Sequence, residues 1–314
     1  MTTSQTITAI EHDIGPRGSV TVRGFDGSVD LRAGDGPTVR LRGTGRRDLD
    51  ADYRIVTGPG EMRIEAIGTE GLGLRWFRLD RTQDLELVVP RWATVRVETA
   101  SGSIHGSGLQ GDQGYRTVSG EVRLTGVGGR VDIDGVSGNV AVRADARLDL
   151  EARVVSADLE AVAPEFGVVR LRSTSGDLRL EGSLAEGADH SIETVSGDTS
   201  IAATGPIVVE GRTVSGDLRT RLPHRSDGGP GRRTLRVGDG GPQVGFRSIS
   251  GGLTVVAPAP VAAAPLETVA PTEHPSSVEG DRLTVLRELE AGRIDVDEAG
   301  RRLAAIDEGT PSDD

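Results

Sequence analysis

Eight short segments of this chain share one pattern, and their spacing limits the fold more than any other feature. They are Ala100-Ser101-Gly102-Ser103-Ile104, Val118-Ser119-Gly120-Glu121-Val122, Val136-Ser137-Gly138-Asn139-Val140 and Val155-Ser156-Ala157-Asp158-Leu159. Then come Thr174-Ser175-Gly176-Asp177-Leu178, Val195-Ser196-Gly197-Asp198-Thr199, Val214-Ser215-Gly216-Asp217-Leu218 and Ile249-Ser250-Gly251-Gly252-Leu253. Successive serines lie 18, 18, 19, 19, 21, 19 and 35 residues apart. The last interval is nearly a double unit and reads as an insertion, Pro223 to Gln243, around one weakly marked strand at Leu235-Arg236-Val237. Between these marks apolar and polar residues alternate, as in Val95-Arg-Val97, Val122-Arg-Leu124, Val131-Asp-Ile133, Val140-Ala-Val142, Leu148-Asp-Leu150 and Leu178-Arg-Leu180. Period two means strands with one buried face. A unit of two short strands and two turns cannot bury that face alone, so neighbouring units must stack.

The expected fold is therefore all-β: a parallel β-solenoid (β-helix) of stacked strands about 4.8 Å apart, with a short C-terminal α-helical hairpin. Aromatic residues make up only 3% of the chain, which predicts a core of Val, Leu and Ile. The Ser-Gly-acid mark fits a corner, where Gly reaches positive φ and Ser or Asp bonds nearby amides. Ala157 stands in for Gly once and predicts a negative φ there.

Residues 1–90 are expected to form an N-terminal β cap and first irregular rungs, and 91–256 the regular repeats. Trp76, Phe77 and Trp92 are expected to plug the end of the core. Residues 257–280, with five prolines, read as a Pro/Ala-rich linker. Residues 281–308 read as a helical hairpin, its second helix opened by a capping-box variant at Asp295 and Glu298. Two helices this short make a very small core. The length of the linker points to a tethered module that docks a protein partner or a second copy. Leu286, Leu289, Ile294, Ala299 and Leu303 are its candidate partner-binding residues.

Composition excludes several functions. The net charge is −12 and Lys is absent, so no basic stripe suits nucleic acid. The scarcity of aromatic faces disfavours carbohydrate. Without Cys there is no disulfide or thiolate chemistry. The five histidines, at 12, 105, 190, 224 and 274, occupy unrelated places in the repeat, and no nucleophile elbow or phosphate loop occurs. Asp132 and Asp134 could act as a paired acid and base, but alternating surface residues produce such pairs freely. The stacked acids Glu121, Asp158, Asp177, Asp198 and Asp217, the last four on successive rungs, need an offset. Calcium and the neighbouring Arg123, Arg179 and Arg219 are the candidates. No cofactor or resident metal is expected, and the chain reads as no enzyme. With no secretory n-region and no apolar run near about 18 residues, the expected location is cytoplasmic, with the cell surface as the alternative.

The segment Leu85-Glu-Leu87-Val-Val-Pro90, followed by Val95-Arg-Val97-Glu-Thr99-Ala-Ser101-Gly102-Ser-Ile104 and the later Ser-Gly-Asp rungs, resembles the bacterial DUF4097 family over roughly residues 20–256. That family consists of β-strand-repeat proteins labelled adhesins from their fold. The tail Leu286-Arg-Glu-Leu289-Glu-Ala-Gly292-Arg-Ile294-Asp-Val-Asp-Glu298-Ala299 is similar to short SHOCT-like helical segments. The resemblance implies a parallel β-solenoid without established catalytic residues, and some relatives are associated with cell-envelope stress. The first reading is thus a non-enzymatic interaction scaffold. A surface adhesin exported by a non-standard route comes second, and a carbohydrate-active β-helix enzyme third.

Overall fold

A computed structural model describes residues 9–24, 26–44, 48–67, 83–229 and 231–258. The chain divides into two units, Met1–Ala259 and Pro260–Asp314, and every described residue belongs to the first. Its described residues are nearly all β-structure, with one four-residue helix, Leu49–Asp52. Trp76, Phe77 and the expected hairpin at 281–308 lie outside the described residues. No described helix is long and apolar enough to cross a membrane.

The strands form two parallel ladders of ten strands each. In the first, Glu61–Ala66 is followed by Ser19–Arg23, Thr94–Thr99 and Gln113–Thr117. The second halves of Val122–Ser137, Val140–Ser156 and Leu159–Ser175 come next, then His190–Thr194, Gln243–Ser248 and Ile207–Thr213. The second ladder runs Leu85–Pro90, Val29–Gly34, Ile104–Ser107, then the first halves of the same three long strands. Leu178–Leu184, Thr199–Ala203, Leu253–Val256 and Leu218–Thr220 complete it. Each coil of chain thus feeds one strand to each ladder.

Two expectations need correcting. The unit does not always have two turns: in the three long strands the second corner is passed without leaving the sheet, by register shifts around Val127, between Arg143 and Leu148, and between Val162 and Glu165. A bulge bends a strand without ending its pairing. Nor does stacking follow chain order at the ends. The coil at 19–34 lies between 61–90 and 94–107, and the coil at 243–256 lies between 190–203 and 207–220.

Antiparallel strands cover the outermost coils. Tyr53–Gly58 pairs with Glu61–Ala66, and Thr38–Gly43 pairs with Leu85–Pro90 and carries Ala9–Asp13. At the other end Arg232–Val237 pairs with Ile207–Thr213, and His224–Gly229 pairs with Arg232–Val237. The stretch read as an inserted loop with one weak strand is therefore a two-stranded ribbon.

The alternation predicted from sequence is the core pattern. Val95, Val97, Val122, Leu124, Val131, Ile133, Val140, Val142, Leu148, Leu150, Leu178 and Leu180 are all buried. Among the described residues, Tyr53, Tyr115, Phe166 and Phe246 are the aromatics buried with them. Trp92 is 55% exposed and plugs nothing. It occupies a turn between two strands, stacked against the bend at Gly111, and so lies at the side of the stack.

Candidate interaction surface

The corner explains its own sequence. In five of the marks the amide of Ser bonds a carbonyl of the adjacent coil: Ser119 to Ala100 (2.9 Å), Ser137 to Val118 (2.8 Å), Ser196 to Thr174 (3.0 Å), Ser215 to Ile249 (2.9 Å) and Ser250 to Val195 (3.0 Å). The Ser hydroxyl donates to that same row of carbonyls, for example Ser137 Oγ to Val118 O at 3.1 Å. Gly is required by crowding more than by dihedral angle. A Cβ on Gly102, Gly120, Gly138, Gly176, Gly197, Gly216 or Gly251 would lie 2.0–2.5 Å from a carbonyl oxygen of the adjacent corner, whereas only Gly138, Gly176 and Gly197 have positive φ. Ala157 keeps a non-positive φ, as expected, and no described non-glycine residue does otherwise.

Sequence reasoning passes over the hydroxyl two residues before the corner Ser. Thr99, Thr117, Ser173, Thr194 and Ser248 are buried there. Thr117 and Ser248 accept the corner amides of Gly120 (2.9 Å) and Gly251 (2.7 Å), and Thr194 donates to Ser196 O at 2.9 Å. The recurrence of Thr or Ser at that place is the signal that could have revealed it.

The corner acids do not form the ladder that chain order suggests. Gly252, on the displaced coil, separates Asp198 from Asp217. Backbone amides offset the like charges: Asp158 Oδ1 accepts Asp177 N at 2.8 Å, Asp177 Oδ1 accepts Asp198 N at 2.9 Å, and Asp198 Oδ1 accepts Gly252 N at 3.1 Å. Arg123 and Arg219 pair with Glu121 (2.5 Å) and Asp217 (2.9 Å), but Arg179 turns to Glu181 at 3.7 Å. Among the described residues no group of three or more His, Cys, Asp or Glu is arranged to hold a metal ion.

What the corner leaves over is the residue before Ser. Val118, Val136, Val155, Val195, Ile249 and Val214 are 43–82% exposed. They follow one another along the stack, with Ala100 before them and Thr174 between Val155 and Val195. These six are most of the exposed large hydrophobics among the described residues. A groove runs beside this ridge, its floor made by Thr117, Val154, Ser173 and Ser248. Its far wall is the outward row Arg116, Asp134, Arg153, Arg172, Glu193 and Arg247. In that wall each acid bridges two arginines: Asp134 to Arg116 (2.9 Å) and Arg153 (3.2 Å), Glu193 to Arg172 (3.2 Å) and Arg247 (3.3 Å).

The other carboxylate of the suspected acid–base pair, Asp132, lies across from Glu151, with Arg153 at 3.8 Å and Arg130 at 4.0 Å. Partial burial, and then Glu151, push its pKa above the ordinary value. Both members of the pair are thus held in an arginine network on an open sheet face. Gln113 and His190 are also buried. Gln113 accepts the Tyr115 hydroxyl at 3.0 Å and donates to Gly128 O at 3.0 Å, and burial raises the Tyr115 phenol. His190 Nε2 lies 3.0 Å from Ala185 O, while its buried Nδ1 has no hydrogen-bond partner.

No family model matches the chain, and no curated protein matches it. Solved structures do. One is described as a "putative adhesin" from Bacteroides fragilis NCTC 9343, with 10% identity over 81% of this chain and 98% of that one, at a TM-score of 0.45. Another is described as a "putative lipid binding protein" from Parabacteroides distasonis ATCC 8503, with 13% identity over 80% and 97%, at 0.46. A third, a "putative adhesin" from Parabacteroides merdae ATCC 43184, has 10% identity over 81% and 97%, at 0.27.

Proposed function

We propose that the chain is a non-enzymatic interaction scaffold, a parallel β-solenoid of the DUF4097 kind whose working face is the corner ridge. The observation that carries this is the ridge itself. Six β-branched side chains are spent on solvent in one continuous line. Covering each half-exposed Val or Ile would gain roughly 1 kcal/mol.

The occupant that fits is a second copy of the rod. One flank of the ridge bears the corner acids Glu121, Asp158, Asp177, Asp198 and Asp217. The other flank bears more Arg than acid: Arg116, Arg153, Arg172, Arg247 and Arg212 against Glu98, Asp134 and Glu193. If two ridges meet about a two-fold axis along the stack, each acidic flank faces the partner's Arg flank. A perpendicular axis would set acid against acid. The ridge is roughly 34 Å long from the strand spacing, so with its flanks such a contact reaches the order of 1,000 Å² that specific interfaces need. Sedimentation equilibrium tests this. The wild type should be a dimer whose melting temperature rises with concentration, and Val136→Glu with Val155→Glu should give a monomer of unchanged far-UV circular dichroism whose melting temperature no longer depends on concentration. A monomeric wild type at tens of micromolar would sink the reading.

The C-terminal residues Leu286, Leu289, Ile294, Ala299 and Leu303 remain a second proposed contact, resting on sequence pattern alone; a pull-down comparing the full chain with residues 1–256 tests it. The adhesin alternative, which rests on the resemblance, requires the protein on the outer surface when native cells are fractionated. The enzyme alternative requires cleavage in a polysaccharide panel.

A further inference from the structure

The ribbon that covers the last coil has two features that the scaffold reading does not use. The first is its edge. His224–Gly229 pairs only with Arg232–Val237, and all six of its residues are exposed. Its outer row of backbone N–H and C=O groups has no strand partner among the described residues. An open edge of this kind is a template for another strand.

The second feature is charge. The register sets Arg225 directly opposite Arg236, and Arg232 directly opposite Arg212. Like charges facing each other across a ladder oppose pairing. None of these four guanidinium groups has a carboxylate within ion-pair distance among the described residues, whereas Arg116, Arg153, Arg172 and Arg247 on the same sheet all do. A charged edge protects against aggregation, but that purpose needs no arginines on the second and third strands.

The two features meet on one face of the ribbon, in three rows. One row is Arg236 then Arg225, the next is Thr234 then Asp227, and the last is Arg232 then Gly229. Gly229 has no side chain, so nothing on the edge strand stands between Arg232 and a newly added strand. That strand would meet cationic ground at its first and third rows and Asp227 at the middle row. Rows on one face are two residues apart, so the cationic rows lie four residues apart along the added strand.

We propose that the edge His224–Gly229 accepts an extended peptide carrying two carboxylates at positions i and i+4, with an uncharged residue at i+2. Each carboxylate takes a planar Arg fork, at Arg225–Arg236 and at Arg232, while main-chain bonds to the edge supply the rest. A nucleic acid fits less well. The ribbon strands carry no Phe, Tyr or Trp on which bases would stack, and Asp227 stands between the two cationic rows.

The test uses the full chain and fluorescence anisotropy. The probe is a labelled peptide of Thr residues with Glu at i and i+4. The expected result is saturable binding that weakens roughly tenfold when the second Glu is moved to i+3, onto the opposite face. A similar loss is expected for Arg225→Glu with Arg232→Glu, while Arg40→Glu at the far end should leave binding unchanged. N-methylation of alternate peptide amides, which keeps the charges but blocks strand pairing, should abolish it. No binding of the first probe overturns the proposal. So does binding that survives N-methylation, or equal binding to phosphatidylglycerol vesicles or single-stranded DNA, since either would make the site a charge-only anion patch.

Discussion

The two ends of the stack are built by the same device and finished differently. At each end the outermost coil is out of chain order and is covered by antiparallel strands. At the N-terminal end the register sets Arg opposite acid: Arg40 with Glu11, Arg42 with Glu86 and Arg54 with Glu65. Arg40–Glu11 closes to 3.0 Å, and Arg63–Glu61 also to 3.0 Å. At the C-terminal end Arg faces Arg. A cap must cover apolar side chains, and both ends do so. Neutralising charge is not part of that requirement, so an end that leaves it undone is open to a ligand.

The largest effects should test whether the ends are equivalent as caps. Leu41 and Leu235 are buried under the two ribbons. Leu41→Ala and Leu235→Ala should each cost about 2–5 kcal/mol, read by denaturant titration. If Leu235→Ala costs nearly nothing, the C-terminal ribbon is not a cap and the comparison fails.

A middle-sized effect belongs to the body of the stack and serves as a reference. Asp132 has a raised pKa in the folded state. Its ionised form is therefore disfavoured by folding, and stability should fall as pH rises from the unfolded value through the folded one. Asp132→Asn should raise the melting temperature at pH 7 and lose that advantage at the acid side of the ordinary carboxylate range. An unchanged difference between variant and wild type across that range would contradict the assignment.

The smallest effect is the sharpest test of the contrast. Arg236→Glu places an acid opposite Arg225 and should stabilise the C-terminal ribbon, whereas Arg40→Glu should destabilise the N-terminal one, each by about 0.2–1 kcal/mol. Hydrogen exchange at Leu235 and Leu41 reads the two ends separately. The same sign at both ends would show that the charges there are not the difference.

Much of this was legible in the chain. The pattern Val-Ser-Gly-acid and the alternation Val-Arg-Leu are local, and a corner or a half-buried strand is decided within a few residues. The buried hydroxyls at Thr117, Thr194 and Ser248 were equally visible as a recurrence, though their role as acceptors and donors inside the corner appears only when the backbone is folded. The exposed ridge was written in the same letters. Val118 and Val122 look alike in sequence, yet one points to solvent and the other into the core, because the corner between them changes which face each presents.

By itself, then, the sequence determined the repeat, the strands, the aliphatic core and the places of the Gly corners. These depend on near neighbours and on a period, and both can be read along the chain. Only the tertiary structure decided that the coil at 243–256 slips between Asp198 and Asp217, and that Gly252 interrupts their row. It alone set Arg225 against Arg236 and left His224–Gly229 an edge. Those outcomes depend on which distant strand is adjacent, and adjacency across a sheet is fixed by the competition among all possible pairings for the same backbone hydrogen bonds.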